Sequence, residues 1–298
     1  MTTMSDTHPT APAVAHTREQ LRHARAALGD GVGVVMTMGA LHEGHAQLIR
    51  QARAEVEHVV VTIFLNPLQF AVGEDLSRYP RTFESDLQIC AREGVDLVFA
   101  PSPDVIYPDG EPAVRVAAGA LGAVLEGASR PGHFDGVLTV VAKLLHLVRP
   151  SRAYYGQKDA QQLLLIKRMA GDLDFPVEVV AVETVRESDG LALSSRNRYL
   201  TAADREIAAC LSRALHTGAQ LAQIGPAAVR RAARDVLVRE PLALIDYLVL
   251  VHPTDLTEVP EWYRGPALLA VAGRVGTTRL IDNLPLELGP DGGARPTA

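Results

Sequence analysis

Between residues 32 and 183 the chain keeps repeating one unit, a short run of β-branched apolar residues followed by a longer amphipathic stretch. The strand-like runs are 32–36, 58–64, 95–100, 152–155 and 177–183, and the helical periods cover 42–56, 84–93, 136–148 and 159–171. Runs that are apolar at almost every position need burial on both faces, and strands separated by helices pair in parallel. The repeat therefore predicts an α/β fold, a parallel sheet wrapped by helices. Pro150 closes the third helix, because proline lacks the N–H to continue it.

After about residue 185 the pattern changes. Two Ala/Arg-rich helical stretches, 202–222 and 226–239, precede strand-like runs at 245–252, 267–275 and 278–281. This predicts a smaller α+β domain, giving a tail at 1–16, a first domain at 17–184 and a lid-like second domain at 185–298 whose last ten or so residues form another tail. The chain's 298 residues suffice for two cores.

Composition narrows the function classes. Lys and Arg number 29 against 35 Asp and Glu, a formal net charge of -6. No broad basic surface for nucleic acid or anionic membrane is expected, although a local phosphate site is compatible with that balance. Only three of the 29 basic residues are lysines, Lys143, Lys158 and Lys167. Cys90 and Cys210 lie far apart in apolar helical contexts, which suggests neither a disulfide framework nor a zinc set and points to the reducing cytoplasm. Residues 1–16 lack the pattern of a secretory signal, and no apolar stretch reaches the roughly 18 residues of a membrane span.

Open parallel sheets bind ligands beyond the carboxyl ends of their strands, and four polar clusters fall there. The first is Thr37-Met38-Gly39-Ala40-Leu41-His42-Glu43-Gly44-His45, a strand end opening a helix. A helix N-terminus attracts anions, and two imidazoles one turn apart can donate to phosphate oxygens. Capping histidines or a metal pair are the alternatives; the His-Glu-Gly-His spacing is one residue short of the zincin motif. Neither a dinucleotide glycine fingerprint nor a Gly-Lys-Ser/Thr loop is present.

The second cluster, Asn66-Pro67-Leu68-Gln69-Phe70, offers the Gln69 amide to a small hydroxy acid, or is an ordinary turn. In the third, Tyr155-Gly156-Gln157-Lys158-Asp159-Ala160-Gln161-Gln162, Asp159 suits an N-cap. Lys158 there opposes the helix dipole unless an anion binds, and Gln162 lies one turn on. The fourth, residues 190–198, ends Leu193-Ser194-Ser195-Arg196-Asn197-Arg198: an oxyanion binder on a loop able to close, or a turn with solvated arginines. Arg130-Pro131-Gly132-His133 adds a compact cationic loop.

Taken together, TMGALHEGH at 37–45, IFLNPLQF at 63–70, YPRT at 79–82, RPGHFDGVLTVV at 130–141, YYGQKDAQQ at 154–162 and VRESDGLALSSRNRYL at 185–200 resemble the pantoate–β-alanine ligase family. That family lies within the nucleotidyltransferases sharing a His-x-Gly-His element with class I aminoacyl-tRNA synthetases. The resemblance runs from about 32 to 283. It implies a Rossmann-like sheet with helices on both faces, a mobile second domain, a homodimer, and condensation of (R)-pantoate with β-alanine driven by ATP with Mg²⁺. It places Met38, Gly39, Ala40, Leu41, His42, Glu43, Gly44, His45, Gly156, Gln157, Lys158, Asp159, Val185, Leu193, Ser194, Ser195 and Arg196 on ATP. His45 takes the acid role, His42 aids the phosphates, and Lys158, Ser194, Ser195 and Arg196 hold them. Gln69 and Gln162 fall on pantoate, with Asn66, Arg130 and His133 beside the substrate; protein ligands of the metal are not implied.

Three positions depart from the family pattern: Met36 for a common Pro, Gln157 for a common Glu, and Leu193 for a frequent Met. The implied route attacks the α-phosphorus of ATP with the pantoate carboxylate, then the resulting adenylate with the amine. Other readings are a related adenylyltransferase, a non-catalytic nucleotide binder and a zinc hydrolase built on His42, Glu43 and His45. A tRNA synthetase is disfavoured by length, acidity and the lack of an anticodon-binding region.

Overall fold

The computed structural model describes residues 11–70 and 75–289, which fall into two compact units. One comprises the described residues up to Gly156 with Leu165–Val182; the other comprises Gln157–Leu164 and the described residues from Glu183 onward. Residues 1–10 of the expected tail at 1–16, and 290–298 of the expected C-terminal tail, lie outside the described residues.

The first unit is a six-stranded parallel sheet in the order β1-β4-β3-β2-β5-β6. The strands are β1 (Ala13–Ala15), β2 (Val32–Thr37), β3 (His58–Ile63), β4 (Leu97–Phe99), β5 (Arg152–Gly156) and β6 (Glu178–Val182). Helices α1 (Arg18–Leu28), α2 (Glu43–Glu55), α3 (Phe83–Arg92) and α6 (His133–Val148) connect them, with single turns α4 (Pro103–Ile106) and α5 (Glu126–Ser129). Helix α7 (Ala160–Asp172) starts in the second unit and ends in the first. Val35, Val61, Val98 and Tyr154 join α2 residues Leu48, Ile49 and Ala52 in one core, while Val34, Val60 and Ala153 on the alternate face are equally buried. A parallel sheet covered on both sides follows from such strands.

The start of the chain differs from the sequence reading. Residues 13–15, assigned to the tail, form strand β1 against β4, with Ala15 buried. Helix α1 was not anticipated, because Leu21 is the only residue it buries and so little apolar period exists to detect. It is fixed by a Thr17/Gln20 capping box, a device worth about 1 kcal/mol.

The topology sets the ligand edge. From β2 the chain moves outward to β3 and β4, then returns to the other side of β2 with β5. The strand order reverses between β2 and β5, and in open sheets the crevice lies at the carboxyl ends there. Those ends are Thr37 and Gly156, which lead into the first and third polar clusters.

In the second unit, β7 (Ala243–Val251), β8 (Gly265–Val275) and β9 (Thr278–Leu288) form an antiparallel sheet packed by α8 (Ala202–Ala219) and α9 (Pro226–Leu237). Its core includes Leu211, Leu215, Val229, Leu250 and Leu269. Strand β9 runs well past the expected end at 281. Asp282 and Asn283, a polar pair beyond that end, are buried within the strand, Asp282 paired with Arg186 and Asn283 donating to the Gln157 carbonyl.

Candidate active site

At the end of β2, Gly39 and Ala40 both adopt positive φ, +86° and +53°. This coil turns the chain sharply into α2, and a buried carboxylate holds it. Asp86 Oδ2 accepts from the Ala40 N–H at 3.0 Å and Oδ1 from the Leu41 N–H at 2.8 Å, with the Thr82 hydroxyl donating to Oδ1 at 3.0 Å. Asp86 is 1% exposed, so its partners replace water.

His42 is the N-cap of α2 and His45 its third residue. His42 Nδ1 accepts the Gly44 N–H at 3.1 Å and His45 Nδ1 accepts the His42 N–H at 3.3 Å. The two rings lie 4.2 Å apart between centroids. The capping alternative is thus realised, and it has a chemical consequence. With Nδ1 accepting, each neutral ring carries its proton on Nε2, the tautomer that donates to an anion. The zinc alternative gains nothing: Glu43 pairs with Arg50 and Arg92, and among the described residues no group of three His, Cys, Asp or Glu is placed to hold a metal.

Beyond β3, Pro67–Gln69 form a 3₁₀ turn capped by Asn66. Gln69 Nε2 reaches Met38 Sδ at 2.9 Å, joining the second cluster to the first. The Gln69 carbonyl accepts from Arg130 Nη2 at 3.2 Å and from His133 Nδ1 at 2.9 Å, and Arg130 Nη1 meets His133 Nε2 at 3.0 Å. Arg130 and His133 therefore brace the Gln69 backbone. Gly136, in the first turns of α6, has no side chain because the 67–69 turn occupies that space.

Gln157, Lys158 and Asp159 form a 3₁₀ turn entering α7. Its backbone is held from β9, where Asn283 Nδ2 donates to the carbonyls of Gln157 at 3.0 Å and Lys158 at 2.8 Å. Gln162 is half-buried on the first turn of α7, beside the buried Gln161.

The 190–198 segment is a braced hairpin limb and turn. Val185 accepts from the Leu193 N–H at 2.9 Å, and Arg186 bridges to Ala192. Arg186 makes a two-pronged pair with Asp282 at 2.7 and 3.0 Å and reaches the Gly190 carbonyl at 3.1 Å. Ser194 caps the following 3₁₀ turn, Ser195–Tyr199, accepting the Arg196 N–H at 3.2 Å. The capping turn considered for this segment is present, with half-buried Ser195 and Arg196 following the cap.

Sequence reasoning overlooked Asp86, Arg186, Asp282 and Asn283, which build these loops, and Tyr107, whose hydroxyl donates to Asn66 Oδ1 at 2.9 Å. Buried polar residues bonded to distant backbone carry little local signal; only the polarity of Asp282-Asn283 inside an apolar strand run marks them. Met36, the departure at the end of β2, is accounted for: Tyr155 donates its hydroxyl to Met36 Sδ at 3.3 Å.

Fold and site together define a doubly wound α/β protein of the class that takes anionic ligands at the carboxyl edge of its sheet. The family model for pantoate-beta-alanine ligase matches residues 10–285. The chain belongs to that family. It is 54% identical to a pantothenate synthetase of Streptomyces avermitilis, over 91% of this chain and 95% of that protein. Among solved structures, pantothenate synthetase from Thermus thermophilus superposes with a TM-score of 0.86 at 50% identity, covering 91% of this chain and 98% of that one. A Francisella tularensis pantoate-beta-alanine ligase, complexed with beta-gamma ATP and beta-alanine, gives a TM-score of 0.76 at 36% identity over 92% and 97% of the two chains.

Proposed function

We infer that the chain is an ATP-dependent ligase that joins (R)-pantoate to β-alanine through a pantoyl adenylate, releasing pyrophosphate and then AMP. The observation carrying this is family membership across nearly the whole described chain, with relatives named pantothenate synthetase at 53% identity and above. In the first step a pantoate carboxylate oxygen attacks the α-phosphorus in line and the bond to pyrophosphate breaks. No protein nucleophile is needed; charge neutralisation and positioning supply the rate.

The residues divide as follows. His42 and His45 donate from Nε2 to phosphate oxygens, the tautomer their capping contacts favour, with His45 filling the acid role by holding its Nε2 hydrogen bond on the leaving pyrophosphate. Lys158, Ser195 and Arg196 bind the phosphates, and the cap made by Ser194 holds that turn. Lys158 forms no ion pair among the described residues, which leaves its ammonium for a ligand. Met38–His45, Gly156–Asp159, Val185 and Leu193 line the nucleotide; Gln69 and Gln162 hold pantoate, with Asn66, Arg130 and His133 around Gln69. Mg²⁺ enters with ATP, bound to its phosphates.

In the second step the β-alanine amine attacks the activated acyl carbon, the bond to AMP breaks, and the amine loses its proton. We place the enzyme in the cytoplasm as a homodimer; the two free, buried cysteines fit a reducing compartment. Among the described residues no helix is long and apolar enough to cross a membrane.

Incubation with ATP and pantoate but no amine tests the scheme. Pyrophosphate release with an enzyme-bound adenylate is expected, whereas ADP and phosphate would replace it with an acyl-phosphate route. Lys158→Ala should cut adenylate formation by at least about a hundredfold, the scale of losing one transition-state charge contact, without loss of folding.

A further inference from the structure

Gln69 can face its ligand as a donor or as an acceptor, and surrounding groups decide which. Asn66 is 1% exposed and caps the turn that carries Gln69. Its amide direction is set by backbone groups that have only one polarity. Nδ2 lies 3.2 Å from the Gly136 carbonyl, which can only accept, and Oδ1 lies 3.3 Å from the Leu68 N–H, which can only donate. The network thus fixes an orientation that the shape of the amide alone leaves ambiguous.

Two contacts remain to Asn66. Its second Nδ2 hydrogen goes to Gln69 Oε1 at 3.0 Å, and Oδ1 accepts the Tyr107 hydroxyl at 2.9 Å. An asparagine amide has two hydrogens and two acceptor lone pairs, and here all four are used. Asn66 has no capacity left for substrate. Because Gln69 Oε1 is turned toward Asn66, the group on the other side of the Gln69 amide is Nε2, a donor, whose contact in the chain is the weakly accepting Met38 sulfur.

We propose that Tyr107 is a positioning residue for hydroxy-acid recognition: by filling the last acceptor site of Asn66 it reinforces the orientation the backbone sets, and so helps to hold the Gln69 amide donor-outward, so that the site selects a substrate oxygen. Tyr107 lies well outside the turn, after α4. It is 6% exposed, packed on Phe64 at 6.0 Å and beneath Lys143 Nζ at 5.4 Å from the ring centroid. Burial pushes the phenol well above its ordinary value, with the Arg115 charge opposing, so the hydroxyl stays a donor at every pH the enzyme meets. The carboxylate and hydroxyl oxygens of pantoate are the acceptors this donor fits. The proposal rests on Gln69 being a pantoate contact.

Steady-state kinetics on Tyr107→Phe, Gln69→Ala and their double variant separate the two claims. Tyr107→Phe keeps the ring and removes one neutral hydrogen bond, so the KM for pantoate should rise about fivefold to tenfold. kcat and the KM values for ATP and β-alanine should stay within about twofold, a split that general loosening of the fold would not produce. The double variant should resemble Gln69→Ala, since Tyr107 acts through Gln69. An unchanged pantoate KM in Tyr107→Phe, or additive losses in the double variant, overturns the proposal while Gln69 keeps its role. An unchanged pantoate KM in Gln69→Ala removes the Gln69 contact itself, and the proposal with it. Should Tyr107→Phe not fold, Asn66→Asp applies the same test. It keeps the shape but puts an acceptor against Gln69 Oε1, turning the amide over, and should raise the pantoate KM by more than tenfold; an unchanged value overturns the proposal.

Discussion

Asp86 shows how one buried side chain builds a binding loop from 46 residues away. Its carboxylate offers both oxygens to the Ala40 and Leu41 N–H groups, in the coil where Gly39 and Ala40 hold positive φ. Asp86→Asn would turn an amide nitrogen toward one of those donors, leaving a buried donor facing a donor, a fault worth about 1–3 kcal/mol. Urea unfolding should show that loss, and the KM for ATP should rise severalfold while that for pantoate changes little; unchanged stability would show that the loop holds without this clamp. The motif around Asp86 was legible in a way Asp86 itself was not. Thr37–His45 and Gln157–Asp159 announce themselves because glycine, imidazole and lysine at a strand-to-helix junction have few structural uses. An aspartate in the first turn of α3 has an ordinary local reason to be there, favouring the helix dipole, and its real partners appear only once β2 and α3 are packed. Lys143 carries the same lesson. On a helix its charge has an ordinary place at the surface, but it is half-buried over the Tyr107 ring, and burial together with the Arg18 charge holds its pKa below the usual lysine value.

Among elements, the buried parallel strands were legible because continuous Val and Ile runs admit few other homes. What was missed carried weak apolar period, as in α1, or a polar pair that ends an apolar run, as in β9. Helix α6 illustrates a constraint that periodicity cannot express. A Cβ on Gly136 would sit 2.2 Å from the Leu68 carbonyl oxygen and 2.9 Å from the Gln69 nitrogen, both backbone atoms. Gly136→Ala must therefore push the Pro67–Gln69 turn off the helix, a strain of about 1–3 kcal/mol. The pantoate KM should rise at least about tenfold with a lowered Tm, and a wild-type KM would mean that the turn relaxes without moving Gln69. Ion pairs between elements set the acid limit. Desolvation raises the Glu93 pKa, but hydrogen bonds and charge from Arg50 and Arg92 outweigh it and hold the carboxyl below its ordinary value. At Asp189 desolvation is likewise outweighed, by the Leu191 N–H and by Arg205. A depressed folded-state pKa means the stabilisation is complete above the unfolded value of about 4 and is lost as pH falls through the folded one. Tm should therefore drop on acidification below about pH 4, and Glu93→Gln with Asp189→Asn should flatten that drop; an unaltered slope would place acid lability elsewhere.

At the scale of the whole molecule, the chain builds two cores from interleaved segments, the second taking Gln157–Leu164 out of the middle of the first. Neither composition nor periodicity signals that exchange, since the segment looks locally like any strand-to-helix junction; what ties it to the second unit is the reach of Asn283 to its carbonyls. Each core contains one cysteine, and both are 0% exposed. Burial pushes the Cys90 thiol up to about 12, with the nearby Asp86 charge adding to it. Burial also pushes Cys210 up to about 11, against the Arg213 charge. Thiolate is the reactive form, so at pH 8 neither residue should react with a disulfide reagent until its own unit opens. Each thiol is then a separate clock. Leu21→Ala, in α1, removes a buried side chain of the first unit, and Leu269→Ala, in β8, one of the second, each at a cost of about 2–5 kcal/mol. Where opening equilibrates faster than labelling, a loss of about 2 kcal/mol speeds modification about thirtyfold. Leu21→Ala should accelerate Cys90 and leave Cys210 near its native rate, and Leu269→Ala should do the reverse, as read by peptide mapping of the labelled protein. Equal acceleration of both thiols by either substitution would mean that the two units open as one cooperative body.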